Sequence, residues 1–347
     1  MQTPAVRQKH ATLVAAVLTA LAVGGLVVWE LVTAGADPND WDYLFASGFL
    51  TALGGLWLAR GHRDRFAAMF ERLENRAALH AEPPLTPKVA AELRDSLRDR
   101  AERWSLGAGV FLAVATPLVW IVSNVRDEKD LRLFDDIAGP VVGCLGGFLV
   151  GRVLGRMVAY GLLGPFLARR GVTFRATPGH VDGAAGLKPV GDYFLSQALL
   201  LAVPAVFLLA WSLLFQLPDL ERRYQTWRAT YLVLLAVVIV IELAAFVFPM
   251  WHAHVEMKQA KRDALVDADK VLARDIAEVE ARLEGELSAD ERAAAQDRLE
   301  RLKARYDAIE TMPTWPVDRA LRRRVTLGHA GLVVGLVGQV AAVAGWS

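Results

Sequence analysis

One stretch constrains this chain more than any other: an apolar run, Trp227–Met250, that passes directly into a charged helical pattern reaching about Glu284. The run is long enough for the hydrocarbon of a bilayer, which takes about twenty apolar residues to cross. Past Gly285 a second helical pattern returns to Met312, and Val325–Trp346 is apolar again. The spacing therefore predicts a cytoplasmic helical hairpin, residues 251–316, bracketed by two membrane spans. Leu265, Leu272, Ile276, Val279 and Leu283 recur in steps of mostly three, four and seven residues, and Ala295, Leu299, Leu302, Tyr306 and Ile309 answer them on the return. Gly285 suits a helix C-terminus, and Ser288 followed by Glu291 is a capping box. At about 1.5 Å rise per residue such an arm reaches roughly 40 Å from the membrane.

The rest of the chain extends this pattern. With 54% hydrophobic residues beside 22% charged ones, it reads as spans alternating with polar segments. Residues 11–33 are predicted to form a retained span, a cleaved signal sequence ending near Ala34-Gly35-Ala36 being the rival. Further spans are expected at about Trp41–Ala59, Trp104–Val125, Ile137–Tyr160 and Tyr193–Leu217, giving an all-α polytopic protein with about seven transmembrane helices. The organisation is then 1–60, spans one and two; 61–103, a cytoplasmic helical segment; 104–168, spans three and four; 169–192, a cytoplasmic linker; 193–250, spans five and six; 251–316, the hairpin; and 317–347, span seven. In the segment 61–103, Phe66, Met69, Phe70 and Leu73 form an apolar stripe suited either to the membrane surface or to packing.

Flanking charge orients the chain. A cytoplasmic N-terminus and an outer C-terminus place Arg60, Arg63, Arg65, Arg98, Arg100, Arg103, Arg169, Arg170 and Arg322–Arg324 inside. The ten tryptophans agree: Trp57, Trp104, Trp251 and Trp315 fall at the inner headgroups, and the other six at the outer ones. Arg, Ala and Leu usage and this topology point to a bacterial inner membrane.

Three sets of residues stand out. Gly139, Gly143, Gly147, Gly151 and Gly155 form a ladder at four-residue spacing, a shallow groove for close helix contact within the chain or between subunits. Glu242 lies inside an apolar span, where an ionisable group marks a polar pathway or a buried pair. Arg152 and Arg156 lie at comparable depth and are its expected partners, with Gln339, His329, Ser196 and Gln197 lining the same interior. His180, Asp182, His252 and Glu256 are the candidates for a zinc-like ion, although their spacing matches no established metal motif. GxSxG, HExxH and GxxxxGK[ST] are absent, so neither an enzyme nor a cofactor is expected. A net charge of +1 argues against nucleic acid as a partner, and the single Cys144 excludes a disulfide framework within the chain.

The segments Gly179–Leu187, with its His-x-Asp-Gly, and Met312-Pro-Thr-Trp-Pro316 resemble uncharacterised bacterial multi-pass membrane proteins. That resemblance implies a membrane location and carries no activity with it. The expected function is an oligomeric inner-membrane channel gated through the hairpin. The alternative is a non-conducting scaffold or signalling subunit whose hairpin recruits a soluble protein. The expected partners are the bilayer, other copies of the chain and a cytoplasmic protein on the hairpin.

Overall fold

The computed structural model describes residues 43–126, 133–218, 220 and 225–318, with a few isolated positions beyond. The span expected at 11–33, and that at 325–346 apart from residues 334, 335, 337 and 338, lie outside the described residues, as do His329 and Gln339. Within them the chain is almost wholly helical: α1 (Tyr43–Ala59), α2 (His62–Asn75), α3 (Pro87–Arg126), α4 (Leu133–Gly161), α5 (Leu163–Ala168), α6 (Lys188–Leu214), α7 (Gln225–Leu283) and α8 (Ala289–Glu310). The exception is a two-stranded antiparallel ribbon in which β1 (Leu79–Ala81) pairs with β2 (Val172–Phe174).

Among the described residues two helices are long and apolar enough to cross a membrane: Lys188–Leu214, with mean hydropathy 2.1, and Trp227–Leu283, with 2.9 over its apolar window. Apolar side chains also stand exposed along the second half of α3, where Leu106, Val110, Phe111, Val114 and Leu118 face outward, and on α1 and α4. The polar piece 87–103 and the apolar piece that follows are one continuous helix, with Pro117 inside it.

α3 and α4 lie against each other through the glycine ladder. A methyl group on Gly147, Gly151 or Gly155 would collide with the backbone carbonyl of Leu112, Ala108 or Trp104, respectively, and one on Gly143 would touch Thr116. The groove is thus filled by a neighbouring helix of the same chain, and backbone-to-backbone approach of this kind is what glycine permits.

Below the apolar halves sits a compact core shared by almost every element. Phe66, Met69, Phe70 and Leu73 of α2 pack with Leu93 and Leu97 of α3, Leu163 and Leu167 of α5, Phe174 of β2, and Met250 and Met257 of α7. The α2 stripe is therefore spent on this core, which encloses the foot of the long helix. A separate cluster of Leu208, Trp211 and Phe215 with Tyr231, Leu235 and Ile239 joins α6 to the opposite end of α7.

α7 runs unbroken for 59 residues, with Pro249 inside it, and α8 folds back along its charged half. Ala268, Leu272 and Ile309 form the buried part of that contact, flanked by Leu265, Leu302 and Tyr306. Ser288 accepts from the Glu291 amide while the Glu291 carboxylate accepts from the Ser288 amide, so the capping box is complete. The end of α8 and the segment after it are fastened to the foot: Lys261 Nζ donates to the carbonyl of Glu310 at 2.6 Å, and the His254 ring stacks on Trp315 with centroids 4.4 Å apart.

Candidate functional site

Glu242 lies on the apolar half of α7 and is 1% exposed. It points into the helical body rather than toward the exposed surface formed by Val233, Val237, Val240 and Ile241. On the neighbouring α6, Gln197 is fully buried, one turn beyond the buried Tyr193. Ser196 donates to the carbonyl of Tyr193. A buried acid on α7 and a buried amide on α6 hold polarity inside two apolar helices, where packing alone favours none.

The arginines expected to pair with Glu242 do not do so. Arg152 Nη2 lies 2.7 Å from Glu102 Oε2, and Arg156 Nη2 lies 3.3 Å from Glu102 Oε1. Arg63 Nη2 completes the arrangement at 2.8 Å from Glu102 Oε1. The glycine ladder is the cause: it presses α4 onto α3, so the arginines on the inner end of α4 meet the carboxylate carried by α3. Ser105, wholly buried, accepts from Arg152 Nε at 3.0 Å and donates to the Arg152 carbonyl at 2.9 Å, fixing the guanidinium in place. Glu102 was not singled out in the sequence, yet its position two residues before Trp104 puts it at the depth of Arg152 and Arg156 on the adjacent helix.

Next to this cluster His62 is buried between Tyr160 and Tyr193, with the Tyr193 hydroxyl 3.1 Å from Nε2. Burial, reinforced by the nearby Arg156 and Arg65 guanidinium groups, pushes its pKa down to about 3, so the ring is neutral at physiological pH.

The four metal candidates fall into two pairs, and no group of three or more His, Cys, Asp or Glu side chains comes together among the described residues. Asp182 sits at the centre of its loop. Oδ1 accepts from the amides of Ala184 and Gly186, and Oδ2 accepts from Arg76 at 2.7 Å and from the Lys188 amide. Burial alone would raise its pKa, but the Gly186 and Ala184 amides and the adjacent His180 outweigh it and hold the carboxyl below the usual range. Four donors occupy the acceptor sites of a carboxylate, which leaves Asp182 as a loop organiser. Gly179, Gly183 and Gly186 take positive φ around it, a backbone region that glycine enters without steric penalty.

His252 and Glu256 form the second pair, 3.0 Å apart on one face of α7. Glu256 Oε2 accepts from the Phe174 amide at 2.6 Å, tying the long helix to the ribbon. Burial raises the Glu256 carboxyl above its ordinary range, against the lowering influence of that amide and of His252. On the other side Gly164 of α5 lies so close to His252 that any side chain there would strike the imidazole. Both pairs are thus engaged in holding the foot of α7 and its surrounding loop. Comparison with protein-family models, with curated proteins and with solved structures finds no match to this chain.

Proposed function

We propose that the chain is a seven-span protein of the bacterial inner membrane, N-terminus inside and C-terminus outside, that assembles as a homo-oligomer and passes ions under control of its cytoplasmic hairpin. The observation that carries this reading is α7 itself: a single unbroken helix bears a buried acid, Glu242, in its apolar half and forms one arm of the hairpin in its charged half. A rigid element of this kind delivers a displacement at one end to the other. The shared core around Met250, Ala253 and Met257 gives it a fulcrum at the membrane surface.

The membrane location is supported by the two qualifying helices and by the exposed apolar faces of α1, α3 and α4, which would be an aggregation surface in water. The orientation is supported by the collection of arginines on the side that holds the shared core. Because Glu242 is buried within one chain, the path is proposed to run through the protomer. Ion flux from proteoliposomes tests the proposal: wild-type protein is expected to conduct, and Glu242→Gln to change the rate or the selectivity. Absence of flux from wild-type protein, with or without cytosolic extract, would contradict it.

The scaffold reading has one observation in its favour. Val266 and Val271, 45% and 53% exposed, stand on the hairpin well away from the apolar spans. A stoichiometric partner captured by the full chain and lost on deleting residues 258–310 would favour that reading.

A further inference from the structure

Glu102 is outnumbered. Arg63, Arg152 and Arg156 all converge on its single carboxylate, at 2.8, 2.7 and 3.3 Å. Arg98 stands one helical turn before Glu102 on α3, close enough to act electrostatically on Arg63. Nε of Arg156 is buried and has no acceptor among the described residues. The local field is strong: burial first, and then Arg98 and Arg156, lower the Arg63 pKa although Glu102 opposes them, and His62 beside them is kept neutral in part by Arg156. Among the described residues three guanidinium groups share the Glu102 carboxylate and a fourth, Arg98, stands near Arg63, so positive charge is concentrated at a site only partly open to solvent, and a concentration of that kind attracts an anion. Guanidinium groups presented together match the paired oxygens of a phosphate.

We propose that the Arg63, Arg98, Arg152 and Arg156 cluster around Glu102 is a binding site for a phosphate-bearing anion, the headgroup of an anionic inner-leaflet phospholipid or a free phosphate. Identifying the lipid as the source rests on the membrane reading, which sets the cluster at the inner headgroup level, two residues from the exposed ring of Trp104. The site chemistry does not depend on ion conduction. A protein that carries no flux but binds anionic lipid loses the channel and keeps the site.

The test is thermal unfolding of the purified full-length protein in neutral detergent, titrated separately with phosphatidylglycerol, phosphatidylcholine and inorganic phosphate at fixed ionic strength. A saturable rise in Tm with phosphatidylglycerol alone supports the site and identifies the headgroup as its ligand. A rise with inorganic phosphate as well supports the site with a soluble source. No rise with either, or equal rises with the two lipids, overturns it. Arg98 is exposed, so Arg98→Gln is expected to fold normally and to weaken the response about tenfold, as loss of one charge-assisted contact does. Arg156→Gln is expected to weaken it at least as much. An unchanged midpoint in both variants overturns the placement of the site.

Discussion

His62 shows how a single position reports on its surroundings. It is neutral in the folded protein because burial and two nearby arginines disfavour its charge, and it is an ordinary histidine when unfolded. Between about pH 6.5 and 3 the unfolded chain therefore binds a proton that the folded chain refuses. The stability this provides is complete above pH 6.5 and is lost as the pH falls, by about 1.4 kcal/mol per unit. In His62→Gln, unfolding monitored from pH 7 to pH 4.5 is expected to show a shallower acid loss than in wild type. Identical slopes would contradict the assignment. At this scale the sequence was partly legible. Glu242 stood out because an acid in an apolar run is rare, but the partner of Arg152 and Arg156 did not. Their positions along the apolar runs were readable, whereas the choice between Glu242 and Glu102 depended on which helices touch.

The glycine ladder decides that choice, and it is an element-scale signal. Spacing alone showed a groove and left open what fills it; the structure fills it with α3, the preceding helix in the chain. Gly151→Ala is expected to destabilise the protein by about 1–3 kcal/mol, because the added methyl has no room beside the Ala108 carbonyl and overpacking costs that much. Gly146→Ala on the same helix is the control, since nothing lies near its Cβ position and no loss is expected. Equal thermal shifts in the two would contradict the packing account. Helix boundaries were readable where a residue enforces them, as at Gly285, whereas the helix that begins at His62 ends at Asn75 without such a signal. The β1–β2 ribbon was not, because strands of three residues are too short to display an alternating pattern. The union of 87–103 with the apolar residues beyond was also missed: the change from polar to apolar at Trp104 changes the character of the side chains, and the backbone helix continues through it.

At the scale of the whole molecule, the long helix, the shared core and the hairpin form one mechanical chain. Lys261 and His254 fasten the return segment to the foot, Glu256 fastens the foot to the ribbon, and Glu242 lies further along the same helix. The sequence announced the rod through the absence of any helix-ending signal between Trp251 and Glu284. It did not announce that α2, α5 and the ribbon would close around its base, because those contacts join segments far apart in the chain. The most direct test replaces Lys258, Gln259 and Ala260 with glycine, and compares ion flux from proteoliposomes with that of a variant carrying three glycines at the hairpin tip, residues 286–288. The account predicts that softening the rod at its foot changes the flux several-fold while softening the tip leaves it as in wild type. Flux unaltered by either change would contradict the coupling on which the account rests.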